Sequence, residues 1–364
     1  MRRILITILI IVLSGFYTPI YGITSEAQKV EVLNPPSVSA KNAIVIELNS
    51  GRVLYEKNAE DRAFPASTTK IMTALLAIEN GNLDKKVKVS QNAVGVEGSS
   101  IYLEKGEKIS LRDLVYGLML RSGNDAAVAI SEEIGGTTEN FVTMMNRRAN
   151  QIGLFNTHFM NPNGLHHNEH YTTAKDMALI AREAMKNPEF KTVAKTKSWI
   201  TDRGEGKYNY FYNKNKVVYQ YEGGTGIKIG YTKVAGRTLV ASSQRNGMEL
   251  ICVVMNAPNW FDDTYKLMDY IYTQYEPVTI INGNIPIKTI KVLNGEKNHV
   301  AIGPKQDIKC PLKKGESSNI SIEYIVPTKV KAPISRWQEA GELKIYMDGI
   351  HVFSEALYYL EDIE

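Results

Sequence analysis

Phe64-Pro65-Ala66-Ser67-Thr68-Thr69-Lys70-Ile71-Met72-Thr73-Ala74-Leu75-Leu76-Ala77-Ile78-Glu79-Asn80-Gly81 reads as an approach, a turn and an apolar helix in succession. A residue before proline is kept out of helical angles, so Phe64-Pro65-Ala66 is extended or turning. Ile71, Met72, Leu75, Leu76 and Ile78 then surround most of a helix that Asn80-Gly81 stops. Helical positions three apart share a face, which sets the Ser67 hydroxyl beside the Lys70 amine at the helix start. There the backbone dipole favours developing negative charge by about 0.3–1 kcal/mol. A free lysine, with a pKa of about 10.4, keeps its proton at pH 7. Lowering it to near 7 takes about 4 kcal/mol, which desolvation beside other cations supplies. Buried, the pair is a nucleophile and its base. The S-x-x-K pattern occurs once in the chain, about as often as chance allows, so its weight depends on its partners.

The first partner is Ser122-Gly123-Asn124. Ser110 reads as an N-cap, Leu111 to Leu120 as an apolar helical run, and Asp125 to Ile130 as the start of a second helix ending near Gly135-Gly136. The triplet therefore falls in a tight turn between two buried helices, where a serine can relay a proton and an amide can orient a substrate amide. Ser90-Gln91-Asn92 and Ser317-Ser318-Asn319 share the S-x-N pattern without that placement. The second partner is Lys228-Ile229-Gly230. Arg237 to Ser243 and Met248 to Met255 read as strands joined by an Asn246-Gly247 hairpin turn, which places Lys228 on a neighbouring antiparallel strand. A lysine so placed can hold an anionic substrate terminus, and Gly230 permits close approach of backbone.

In this order, S-x-x-K, S-x-N and K-x-G form the signature of penicillin-binding proteins and class A β-lactamases. Pro65-Ala66-Ser67-Thr68-Thr69-Lys70, Leu118 to Ala127 and Tyr171-Thr172-Thr173-Ala174-Lys175-Asp176-Met177-Ala178 resemble the low-molecular-mass D-alanyl-D-alanine carboxypeptidases, serine peptidases that trim peptidoglycan stem peptides. The resemblance spans about residues 36–275 and extends more loosely to the C-terminal segment. It implies an α+β fold of the β-lactamase/transpeptidase kind, an antiparallel sheet flanked by helices, with a small C-terminal all-β domain. It also implies roles. Ser67 attacks the D-Ala-D-Ala carbonyl to form an acyl-enzyme, Lys70 acts as base, and Ser122 passes the proton to the leaving amine. Asn124 holds the acyl-chain amide, Lys228 binds the terminal carboxylate, Gly230 allows close backbone approach, and the N–H groups of Ser67 and Tyr231 form the oxyanion hole. The implied substrate is the peptidoglycan pentapeptide, with β-lactams as covalent inhibitors and neither cofactor nor metal.

One position departs from the pattern: Ile229 stands where the family has threonine or serine, whose hydroxyl helps bind the carboxylate. Losing one hydrogen bond to a charged group costs about 1.5–3 kcal/mol. This leaves open a weakly active or non-catalytic wall-binding protein on the same fold. A β-lactamase would need a deacylating Glu-x-x-Asn tetrad, and none lies between Ser122 and Lys228.

The remaining features bound the setting. Arg2-Arg3 followed by Ile4 to Phe16 has signal-peptide proportions, and it reads also as a retained anchor, so an extracytoplasmic protein with membrane association as an option is expected. The expected organisation is a signal peptide over 1–22, a linker over 23–35, the peptidase domain over 36–275 and a β-rich domain over 276–364. The formal net charge of +4 demands no nucleic acid. Cys252 and Cys310 fall in different expected domains and read as free thiols. His166, His167 and His170 lack a metal-ligand pattern and read as surface or cleft-rim residues, Asp176 reads as a helix-start residue, and Gly98-Ser99-Ser100 reads as a cleft lining or a polar turn.

Overall fold

The computed structural model describes residues 34–316 and 319–364 together with a three-residue strand, Ile8–Ile10. Apart from that strand, the expected signal segment and nearly all of the expected linker lie outside the described residues. Two compact units are formed: one holds Asn34–Leu48 and Val53–Thr273, the other Gln274–Glu364 with the turn Asn49–Arg52.

The larger unit is built on a five-stranded antiparallel sheet, in the order Val53–Lys57, Asn42–Glu47, Met248–Met255, Gly236–Arg245, Gly224–Thr232. The hairpin read at Asn246-Gly247 is present, and both residues have positive φ, 50° and 78°, as a type I′ turn requires. Met248–Met255 is buried at every position, and its one charged residue, Glu249, is paired with Lys191. Its two faces divide by the period of two. Ile251, Val253 and Met255 join the core shared with the helices, whereas Cys252 on the opposite face lies against Thr264 of the helix Trp260–Gln274. Each fully buried Val, Leu, Ile or Met side chain contributes about 1.5–3 kcal/mol.

The helix Trp260–Gln274 was not read from the sequence. Its signal was present, since Thr264, Leu267, Met268, Ile271 and Gln274 are buried at spacings of three and four. Five tyrosine, tryptophan and phenylalanine side chains spread around the remaining faces obscured the stripe. Beyond the helices, Ser198–Ile200 pairs antiparallel to Tyr210–Tyr212.

The helical part packs Lys70–Asn80 at its centre, with Lys70 to Ala77 all buried. Around it lie Leu111–Tyr116, Asn124–Gly135, Thr138–Ile152 and Ala174–Lys186. Ser110 is the N-cap expected for the first of these, its Oγ accepting from the Asp113 N–H at 3.0 Å. Thr173, not Asp176, caps Ala174–Lys186; the Asp176 carboxylate instead accepts from Asn156 N–H and the Thr157 hydroxyl.

The smaller unit is a β-structure with its own core, including Ile290, Val300, Ile302, Leu343, Ile345 and Leu357. Its seven-stranded sheet runs Ile8–Ile10, Ile320–Ile325, Glu339–Met347, Ile350–Tyr359, His299–Gly303, Lys288–Leu293, Lys329–Lys331, and Tyr275–Ile281 pairs separately with Ile308–Lys313. The overall class is α+β with a C-terminal all-β domain. Cys252 and Cys310 are both buried and free.

Candidate active site

Ser67 lies in a single 3₁₀ turn, Ala66–Thr69, and the α-helix begins at Lys70. The shared face expected of a helix is therefore realised more tightly, because positions i and i+3 eclipse in a 3₁₀ turn. Pro65 anchors this turn: its carbonyl accepts from the Thr68 hydroxyl at 2.6 Å and from Thr238 Oγ1 at 3.2 Å. Ala66, at φ 48°, holds a backbone angle that non-glycine residues seldom adopt.

Lys70 is fully buried, and its Nζ has three neighbours: Ser67 Oγ at 3.1 Å, Asn124 Oδ1 at 2.6 Å and the main-chain carbonyl of Asn163. The two carbonyl oxygens can only accept. In a neutral amine, with two N–H bonds and one lone pair, they take both hydrogens and leave the lone pair facing the Ser67 hydroxyl. Burial, reinforced by the charges of Lys228 and Lys214 against a weaker opposing pull from Asp125, holds the Lys70 amine well below the ordinary lysine range. An alcohol facing an unprotonated amine in a dry setting is competent for nucleophilic attack.

Ser122 ends a π-helical turn, Gly117–Arg121, in a left-handed conformation with φ 66°. The three polar neighbours of Lys70 do not include it, although Asn124 on the same turn is one. The other end of the Asn124 amide donates to the Glu97 carbonyl, and its backbone N–H donates to Ser99 O at 2.7 Å. Asp125, 1% exposed, completes the tether of this loop by accepting from Ser100 Oγ, Ile101 N, Leu103 N and Ala126 N. Gly98-Ser99-Ser100 is thus a structured wall. The loop is further held by a buried pair, Arg203 with Glu107, at 2.6 Å; burial alone would raise the Glu107 pKa, but the Arg203 hydrogen bonds and charge lower it.

Lys228 sits on the edge strand, opposite Val240, and is 1% exposed. Its hydrogen bond goes to the carbonyl of Ile229 at 3.1 Å, leaving ammonium donors for an incoming group. Burial, followed by the nearby Lys214 charge, lowers its pKa to about 7. Beside the neutral Lys70 amine, Lys228, Lys214 and Arg121 make a cationic cluster whose repulsion an incoming carboxylate would relieve. Gly230 lies against the nucleophile turn: a Cβ there would stand 2.9 Å from Ser67 N and 2.5 Å from Thr238 Oγ1. Tyr231 follows at the end of the same strand, 62% exposed.

Two contributors were missed in the sequence. The segment from Asn161 to Gly164 supplies the Asn163 carbonyl to Lys70, and Thr73 Oγ1 donates to Pro162 O at 2.6 Å to hold it there. Gly164 is required by this contact, since its φ is 84° and a Cβ would meet the Ala66 carbonyl at 1.9 Å. His170, expected at the surface or the cleft rim, is instead buried at 2% exposed. Its Nδ1 accepts from Met160 N–H at 3.2 Å, which assigns the proton to Nε2 and its donation to Thr69 Oγ1 at 2.8 Å. His166 and His167 are exposed, as read.

A family model described as D-alanyl-D-alanine carboxypeptidase matches residues 29–259, and one described as penicillin-binding protein 5, C-terminal domain, matches residues 275–364. The D-alanyl-D-alanine carboxypeptidase DacF of Bacillus subtilis is 34% identical over 359 residues, covering 96% of this chain and 91% of its own. DacC of Escherichia coli is 30% identical over 351 residues, covering 92% and 86%. Among solved structures, penicillin-binding protein 5 from Haemophilus influenzae aligns with a TM-score of 0.71 at 30% identity, covering 91% of this chain and 99% of that one. A Streptomyces K15 DD-transpeptidase variant aligns with a TM-score of 0.61 at 34% identity, covering 65% and 98%. The chain belongs to the D-alanyl-D-alanine carboxypeptidase family of serine peptidases.

Proposed function

We propose that the protein removes the terminal D-alanine from peptidoglycan stem peptides through a Ser67 acyl-enzyme. Ser67 Oγ bonds to the penultimate D-alanine carbonyl while its proton moves to Lys70 Nζ. The resulting oxyanion is held by the backbone N–H groups of Ser67 and Tyr231. Ser122 then relays the proton to the departing amine as the C–N bond breaks, releasing D-alanine. Water cleaves the ester in the second half-reaction, returning the hydroxyl of Ser67. Lys228 receives the substrate carboxylate, Gly230 admits the substrate against the nucleophile turn, and Asn124, already bound to Lys70, orients the acyl-chain amide. The observation carrying this reading is the fully buried Lys70 amine with two carbonyl acceptors and the Ser67 hydroxyl as its third neighbour.

β-Lactams, whose strained amide places a carbonyl beside a carboxylate, are expected to acylate Ser67 and to stay bound, because no Glu-x-x-Asn tetrad lies between Ser122 and Lys228 to drive hydrolysis. Work outside the cytoplasm follows from a wall substrate together with the basic, apolar start of the chain; among the described residues no helix is long and apolar enough to cross a membrane. The catalytic domain is assigned to 36–275 and the β-rich domain to 276–364. D-Alanine release from a pentapeptide, combined with labelling by a fluorescent penicillin, tests the assignment. Both signals are expected and both vanish in Ser67→Ala; penicillin labelling without D-alanine release would favour the non-catalytic wall-binding alternative.

A further inference from the structure

The strands Ser198–Ile200 and Tyr210–Tyr212 form an isolated two-stranded ribbon whose two faces differ sharply. One face is anchored: Phe211 is fully buried, and Trp199 stacks on Tyr116 with ring centroids 3.8 Å apart while its Nε1 donates to Asp113. The other face is apolar and open. Ile200 is opposite Tyr210, and Ser198 is opposite Tyr212, so directly paired residues put these side chains on one surface. There Ile200 is 66%, Tyr210 56% and Tyr212 59% exposed. Lys214 continues the exposed alternation two residues on.

This surface leads into the catalytic cleft. Lys214 N–H donates to Leu120 O, two residues before Ser122, and Lys214 Nζ donates to Ser99 Oγ on the loop that Asn124 pins. The Lys214 charge is felt by both Lys70 and Lys228. A rigid ribbon that hides one aromatic face and leaves two tyrosines and an isoleucine in water, next to a catalytic cleft, has the character of a binding surface.

We propose that this ribbon is a glycan-binding platform on which Tyr210 and Tyr212 stack against the pyranose faces of the peptidoglycan sugar chain, while the stem peptide enters the cleft past Lys214. The inference rests on the substrate class assigned above. The sugars fit for a chemical reason. Their ring C–H faces are apolar and pack on tyrosine rings, and their hydroxyl rims hydrogen-bond to the phenols and to Ser198. Tyrosine supplies such contact at little cost in conformational entropy.

The test compares two pentapeptide substrates, one free and one attached to soluble glycan chains, using full-length Tyr210→Ala, Tyr212→Ala and the parent. The parent is expected to show a lower KM on the glycan-linked substrate. Each variant is expected to raise that KM by about five- to tenfold, with kcat/KM on the free peptide unchanged. Calorimetric titration of Ser67→Ala with glycan chains freed of their peptides reads binding without turnover, so failure of the carboxypeptidase reading is distinguishable from failure of this one. Binding that Tyr212→Ala weakens supports the platform. Equal losses on both substrates, or no binding of peptide-free glycan, would overturn it.

Discussion

Gly230 approaches the backbone of Ser67 so closely that even a methyl group would occupy the space beside the Ser67 N–H, 2.9 Å from its nitrogen. The edge strand and the Ser67 turn are thereby set at a spacing that only glycine allows, and in the proposed reaction the carbonyl under attack fits between them. Gly230→Ala is expected to push the strand away and lower the rate of penicillin acylation by about a hundredfold, since small misplacements of reacting groups have costs of that size. Stopped-flow acylation measures it. An unchanged rate would mean that the spacing is not what positions the oxyanion.

Lys228 helps to hold Lys70 unprotonated, its charge being the largest contribution after burial. With Lys70 as the proposed base, activity needs its neutral amine and is expected to rise as pH climbs through the depressed Lys70 pKa. Lys228→Met removes a neighbouring cation and is expected to move this acidic limb of the acylation profile to higher pH, besides weakening carboxylate binding. A limb that stays in place while only KM rises would show that burial alone sets the Lys70 pKa.

Ile229 is half-buried on the edge strand between Lys228 and Gly230 and has no group with which to bond a carboxylate. Ile229→Thr is expected to raise kcat/KM on a D-Ala-D-Ala peptide about ten- to a hundredfold, the equivalent of one hydrogen bond to a charged group at 1.5–3 kcal/mol. No gain would show that the isoleucine is matched to the natural substrate.

His170 predicts an acid-labile site. Burial, then the charges of His158, His167 and Lys70, lower its pKa from 6.5 to about 3. Between those values the unfolded chain binds a proton that the folded chain refuses, so stability falls as pH drops from about 6.5 towards 3. His170→Gln does not titrate, and its thermal midpoint is expected to fall less steeply than that of the parent over this window. Parallel curves would argue that other groups govern acid unfolding.

Much of the site was legible because it consists of side chains whose spacing is local. Ser67 and Lys70 are three residues apart, the Ser122 turn is bracketed by apolar runs, and the Lys228 strand is followed by an Asn246-Gly247 hairpin. The order of these three motifs carried the family, and the periodicities around them carried the α+β class, because pleat and helix periods are written directly in the alternation of apolar residues. The helix Trp260–Gln274 escaped because aromatic residues on several faces blur a stripe that only burial in the folded chain reveals.

Tertiary structure decided what identity cannot encode. The Asn163 carbonyl that fixes Lys70 is a main-chain atom, which every residue possesses, brought across 93 positions of sequence by Thr73 and by the fit of Gly164 on Ala66. The burial of His170, the four hydrogen-bond donors converging on Asp125 and the closeness of Gly230 to Ser67 are likewise properties of packing. The sequence by itself determined which alcohol and which amine would meet. Only the folded chain determined that the amine would be dry, surrounded by other cations and held by two carbonyls with its lone pair towards the alcohol, because desolvation and bond direction arise from neighbours distant along the chain.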